Sequence, residues 1–293
     1  MKYTVERYNG QKRFNEQYPE IHDFLLSAAD SGYNEHFHWG RFEWMMCHTM
    51  LEADQMDKIG IFRDETKQIA GIVTYDTEVS DSTYMIHSAN DSELLNMMIE
   101  FALENYAENG ECVLKLNSKD SCLSKIVAER GFKMIHKDDN VLEMDLSHMP
   151  EYTIPKEYAI SPKGFGIDNW KWDVVIHKGF NHPGLPEKRE KSQWIQPPNA
   201  NSDLKVFALK DNEYCAHCGV WYTEGKTAYI EPVVTIPECR NKGLARAVVY
   251  EALIRARELG AKRGVVLSGQ EFYFKIGFHT SSEFSSWMKP VYK

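Results

Sequence analysis

One order of elements occurs twice in this chain, and that repetition constrains the fold more than any single motif. In the first half, "KIGIFRDETKQIAGIVTYD" reads as two β-branched runs around a polar turn, a hairpin. "TYMIHSA" supplies a third strand, and "SELLNMMIEFALENYAENG" a helix that ends at Gly110. On that helix Leu94, Met97, Met98, Phe101 and Ala102 recur at three- and four-residue spacing. A strand "CVLKLN", a short helix "CLSKIVAERGF" and closing strands "KMIHKD" and "VLEMDLS" complete the set. The second half follows suit with the hairpin "LKVFALKDNEYCAHCGVWYT", the strand "TAYIEPVVTI" and the helix "LARAVVYEALIRARELG". A strand "RGVVLS", a short helix "EFYFKIGF" and a last strand-like stretch "SSWMKPVY" finish it. Gly71 and Gly131 stand 60 residues apart and Gly219 and Gly277 stand 58 apart, each later glycine in a "GF" pair that closes the short helix.

Each hairpin is preceded by helix-like segments: "PEIHDFLLSAADSG" and "RFEWMMCHTMLEAD" in the first half, "GIDNWKWDVVIHKGF" and "EKREKSQWIQ" around the loop "NHPGLPEK" in the second. Trp44, Met45, Met46, Trp170 and Trp172 in these segments read as core. The stretch "MDLSHMPEYTIPKEYAIS", with its prolines, reads as the linker. The expected organisation is therefore two domains, 1–148 and 149–293, of class α/β (α+β). Each would hold a mixed, mostly antiparallel twisted sheet flanked by helices.

The formal net charge of −9 argues against nucleic acid or an anionic membrane surface as the main partner and favours an amine-bearing, cationic one. "MKYTVERYNGQKRF" holds no apolar segment of signal-peptide length, and no run approaches a membrane span, so the expected location is the cytoplasm. The six cysteines are scattered through the chain, unlike a disulfide scaffold. "CAHC", Cys215 to Cys218, reads as a strand whose two cysteines point to opposite faces. His36 and His38 in "NEHFHWG" would share a strand face, yet no third ligand accompanies them, and no metal is expected.

The stretch "TIPECRNKGLARA" carries the chemistry. Pro237 stops a strand, a basic turn follows, and a helix opens at once. The first turn of a helix exposes N–H groups without intrahelical partners, and its dipole favours an anion there. Gly243 lets the backbone approach a diphosphate closely, and Ala245 is small enough to permit the same. Between Arg240 and Arg263 seven basic residues face two acidic ones, a local excess in an acidic chain. Neither a P-loop nor a G-x-G-x-x-G fingerprint is present.

With its flanks, this stretch resembles the GNAT superfamily of acyl-CoA-dependent N-acyltransferases. The residues that carry the likeness are Pro237, Arg240, Gly243, Ala245, Tyr273, Gly277 and Phe278. It covers residues 155 to 293 well and the layout of the first half more loosely, which implies two tandem GNAT-like domains. The resemblance implies that the backbone of Val233, Val234 and Thr235 pairs with pantetheine and the thioester carbonyl. It also implies that Arg240, Asn241, Lys242, Gly243, Leu244, Ala245 and Arg246 hold the diphosphate of acetyl-CoA, the acyl donor. Glu231, six residues before the proline, falls where many members place a carboxylate base. Tyr273, five before Phe278, falls where many place a phenol that protonates the departing thiolate. An amine of pKa about 10.4 needs such a base, and a phenol of pKa about 10 can act as the acid. Thr235 departs from the usual apolar residue, and "LSGQEF" lacks the Asn many members carry.

In the first half only "NDSE" joins the third strand to its helix, and Val127 stands where the phenol would be. Asn90 or Asp91 would cap that helix, and acids there disfavour a phosphate. The first domain is thus expected to lack the coenzyme site. The expected function is N-acetyl transfer from acetyl-CoA to a small-molecule amine by direct attack in a ternary complex. Competing readings are a non-catalytic acyl-CoA sensor, an interaction scaffold, and an aminoacyl or long-chain acyl transferase on the same fold.

Overall fold

The computed structural model describes residues 2–79 and 83–291. It divides into two compact units. The first runs through Leu142 and takes in Leu267–Gln270 and the chain from Thr280; the second comprises Glu143–Val266 and Glu271–His279.

In the first unit, strand β1 (Tyr3–Arg7) is followed by helices α1 (Tyr18–Ala29) and α2 (Trp39–Cys47). The hairpin is β2 (Gly60–Asp64) with β3 (Ile69–Thr74), the third strand β4 (Thr83–His87). Then come α3 (Ser92–Asn105), β5 (Glu111–Asn117), α4 (Ser121–Glu129) and β6 (Lys133–Asp145). β1 to β4 pair antiparallel in sequence order, whereas β4 pairs parallel with β5. α3 buries Leu94, Leu95, Met98, Ile99, Phe101 and Ala102, and the Asp91 carboxylate caps its start by accepting from Glu93 N–H. It stops at Asn105, before Gly110. Tyr106 closes it by bonding back to Ala102, and Gly110, at φ 81°, turns the chain into β5. The two strands expected after α4 are one, because Asp138 is held across the sheet by Lys115 Nζ at 2.6 Å instead of turning out.

The second unit repeats the order. β7 (Ala159–Ile160) and α5 (Asn169–Gly179) precede the hairpin β8 (Lys205–Lys210) and β9 (Glu213–Trp221). β10 (Thr227–Thr235), α6 (Leu244–Leu259), β11 (Arg263–Leu267) and α7 (Glu271–Lys275) follow. β7 to β10 pair antiparallel, and β10 pairs parallel with β11. α5 lays Val175 on Phe207, Tyr214 and Val234. "EKREKSQWIQ" forms only a short 3-10 turn at Lys191–Gln193. So few residues, bounded by Pro186 and Pro197, cannot offset helix nucleation.

The last strand, β12 (His279–Pro290), differs from the expected division at residue 148. It pairs antiparallel with β5, from Phe284↔Asn117 to Pro290↔Glu111, and so belongs with the first unit. Serines fix its register: Ser286 Oγ accepts from Lys115 Nζ at 2.7 Å, and Ser282 Oγ accepts from Asn117 Nδ2 at 3.0 Å. Local pattern specifies a strand but not its partner.

His36 and His38 lie in the loop before α2, not in a strand. Both are buried, and His38 Nδ1 caps α2 by accepting from Gly40 N–H at 3.0 Å. Burial holds the His36 imidazole down to about 4. Among the described residues no group of three or more His, Cys, Asp or Glu is placed to hold a metal. Cys215 and Cys218 are buried in β9, where burial pushes the Cys215 thiol up to about 12 and that of Cys218 higher. Met45 and Met46 are core, as expected, but Trp170 lines a cleft of about 220 Å³ with Asn169, Asp173, Arg189, Lys191 and Trp194.

Candidate active site

The site grows from a fault in the sheet of the second unit. β10 and β11 run side by side for three pairs only, Thr227↔Arg263, Ala228↔Gly264 and Tyr229↔Val265. Beyond Tyr229, β10 stays with β9 but slips register between Ile230 and Val233, so Glu231 and Pro232 both stand against Gly219. The peptide between them is cis. The bulge presses the Glu231 carbonyl over Gly219: a Cβ there would lie 2.6 Å from that oxygen. Trp221 Nε1 donates to the same carbonyl at 2.8 Å, and Tyr229 Oη donates to the Glu231 carboxylate at 2.6 Å.

Past the bulge the main chain divides its loyalties. Ile236 N–H donates to Cys215 O on β9, so by antiparallel alternation Val234 also turns to β9, while Val233 and Thr235 face the open side. The Val234 side chain is core as well, close enough to α5 that a Cβ on Gly179 would fall 2.4 Å from its own. Thr235 O accepts from Arg240 Nε at 3.0 Å, and Thr235 Oγ1 is buried without a hydrogen-bond partner. Of the three residues expected at the acyl arm, Val233 and Thr235 turn their main-chain groups to the open edge. Val234 is committed to strand and core.

A 3-10 turn (Pro237–Cys239) leads into the basic loop. Asn241 at φ 60° and Gly243 at φ 77° are both left-handed, a conformation Asn tolerates and Gly adopts freely. Gly243 is the N-cap of α6, and no side chain caps that helix, whereas Asp168 caps α5. The first-turn amides from Leu244 onward thus stand open to an anion. Leu244 is buried and anchors the turn, Ala245 is half-buried, and Arg246 is exposed without an ion pair among the described residues.

The expected positive patch is smaller than its sequence suggests. Arg255 is buried, bonded to Glu251 Oε1 at 2.8 Å and to the carbonyls of Asp203 and Ser161, so it ties α6 to its surroundings. Arg263 engages Thr227 and Glu143. Arg240 braces the loop: one of its nitrogens donates to Gly179 O at 2.9 Å and to Asn181 Oδ1 at 2.8 Å, closing the end of α5. Lys242 Nζ donates to Tyr158 Oη and Glu238 O, and the Tyr158 contact raises its pKa. Charge at the turn therefore comes from Arg240, Lys242 and Arg246.

Tyr273 lies on α7, buried, its ring edge-on to Phe278 at 5.5 Å. Burial holds its phenol well above the ordinary range, and the nearby Glu231 carboxylate adds to the effect. Glu231 and Tyr273 thus share one electrostatic neighbourhood. Sequence reasoning missed Tyr229, Trp221 and Gly219. Only Tyr229 left a signal, since residues two apart on a strand share a face.

Residues 169–278 match the model of the Acetyltransferase (GNAT) family. The GNAT match begins with α5 and closes at Phe278, just before β12. No curated protein matches the chain. Among solved structures, the GCN5-related N-acetyltransferase from Sphaerobacter thermophilus is similar at TM-score 0.58 and 12% identity, over 100% of this chain and 96% of that one. A tandem GNAT protein from the clavulanic acid biosynthesis pathway is similar at 0.56 and 9%, over 99% of each chain. An N-myristoyltransferase from Saccharomyces cerevisiae is similar at 0.54 and 11%, over 98% of this chain and 78% of that one. At these identities the likeness is one of fold.

Proposed function

We propose that the second unit is an acetyl-CoA-dependent N-acetyltransferase acting on a primary amine by direct attack in a ternary complex. The observation that carries this reading is a strand edge that opens after Tyr229 and leads straight to an uncapped, glycine-led helix start. An amide-bearing arm would take its hydrogen bonds from the outward main chain of Val233 and Thr235. The amides from Asn241 to Arg246 would hold its diphosphate, with Lys242 and Arg246 beside them. The unpartnered Thr235 Oγ1 fits a polar ligand next to it.

When bound, acetyl-CoA supplies an acyl carbon whose leaving group is a thiolate. Glu231 receives the proton that the acceptor nitrogen loses as the N–C bond forms, and the Tyr229 hydroxyl holds that carboxylate in place. Tyr273 faces the sulfur as the C–S bond breaks. Its raised pKa keeps it a phenol throughout, and complete transfer to a thiolate of reference pKa about 8.5 is uphill. The residue therefore acts as a hydrogen-bond donor that lowers the barrier to departure.

Gly243→Asp puts a carboxylate on a left-handed backbone at the diphosphate seat. It is expected to weaken acetyl-CoA binding at least about tenfold by titration calorimetry, from repulsion and strain together. Tyr273→Phe should reduce turnover about 10²-fold while leaving that affinity intact. Thiol release, followed with acetyl-CoA and myristoyl-CoA against a panel of amines, identifies donor and acceptor. Wild-type affinity in the Gly243 variant, or binding without release for every amine, would overturn the reading.

A further inference from the structure

The first unit has the same opening as the second, and its own chain fills it. Among the described residues β4 pairs with β5 at Thr83↔Leu114 and Tyr84↔Lys115 and not beyond, so Met85, Ile86 and His87 run on past the parallel ladder, as β10 does past Tyr229. Ser88 N–H donates to Ala70 O on β3, and alternation then points the N–H and C=O of His87 to the opposite edge. His87 stands opposite Gly71 of its hairpin, as the Glu231 bulge stands opposite Gly219.

That edge is taken by one side chain. Asn34, from the loop between α1 and α2, donates through Nδ2 to His87 O at 2.7 Å and accepts from His87 N–H through Oδ1 at 3.3 Å. An antiparallel neighbour makes this same two-way exchange, here supplied by a carboxamide. Asn34 is wholly buried, and its Nδ2 also reaches Ser31 Oγ at 3.1 Å. The His87 ring is fixed on both nitrogens, to Asp120 Oδ2 at 2.6 Å and Ala89 O at 3.0 Å, and the Tyr33 ring lies 5.0 Å away. Asp120 in turn caps α4 by accepting from Leu123 N–H.

We propose that Asn34 is a built-in occupant of the first unit's strand opening, standing where an amide of an extended ligand would pair, so that the chain binds one acyl-CoA and not two. The comparison with the second unit rests on the function proposed above; the Asn34–His87 exchange does not. The ligand class that the opening would accept, once vacated, is an amide-bearing arm such as pantetheine.

The test follows the His87 amide by nuclear magnetic resonance in the full chain, wild type and Asn34→Gly, with pantetheine as the probe. In the wild type that amide should exchange slowly and ignore pantetheine. In the variant it should exchange about tenfold faster or more, as losing a buried hydrogen bond implies, and pantetheine should move its resonance and restore protection. Unchanged exchange in the variant, or a wild-type His87 resonance that responds to pantetheine, would overturn the proposal. Should Asn34→Gly not fold, Asn34→Ala also removes both the acceptor and the donor, and the same readouts apply. Acetyl-CoA titrated into the wild type adds a second check: one equivalent supports the proposal and two refute it. If none binds, the reading of the second unit fails, and the exchange data still decide on Asn34.

Discussion

Gly219 shows how a residue with no side chain can set the geometry of a neighbouring strand. The Glu231 carbonyl leans into the space a Cβ would fill, 2.6 Å away, so the bulge that aims Glu231 exists because this position is glycine. Gly219→Ala should destabilise the second unit by about 1–3 kcal/mol, the usual cost of forcing atoms into a filled site, and lower turnover as the bulge shifts. Urea unfolding and steady-state rates test both effects; an alanine variant of wild-type stability and rate would mean the bulge relaxes freely. Glu231 and Tyr273 were singled out only through the resemblance to a family, whereas the left-handed turn at Gly243 was legible in the sequence because its local backbone demands a glycine. Gly219 as a contact was not, since the close approach joins residues on different strands. The bracing role of Arg240 was hidden likewise, because its partners Gly179 and Asn181 come from a distant part of the chain.

At the scale of elements, β9 carries a pH liability in its middle. His217 is buried against Phe207, its ring centroid 4.4 Å away, and its Nδ1 faces Val206 O at 3.1 Å while Nε2 has no partner. Burial lowers its pKa from 6.5 to about 3. Between those values the unfolded chain binds a proton that the folded chain refuses, so its contribution to stability is whole above pH 6.5 and declines from there toward pH 3. His217→Phe should flatten the acid side of the second unit's stability profile. Thermal unfolding of wild type and variant between pH 4 and 7 checks this, and parallel curves would absolve His217. Most elements could be read from periodicity, hairpin turns and caps. The exceptions have physical reasons: polar residues in β6 found partners across the sheet, and a charged segment between prolines had too little apolar surface to become a helix.

For the whole molecule, the repeated layout was legible but the ownership of the last strand was not. The match to the family ends at Phe278, and β12 then lies along β5. Removing residues 280–293 should therefore unfold the first unit while sparing the basic loop before α6. Limited proteolysis should cut the truncated chain within residues 1–142, and protection equal to the full-length chain would count against the pairing. The same arrangement bears on biosynthesis. During translation the first unit emerges lacking the neighbour of β5, and it must wait with that edge exposed until every residue of the second unit has left the ribosome.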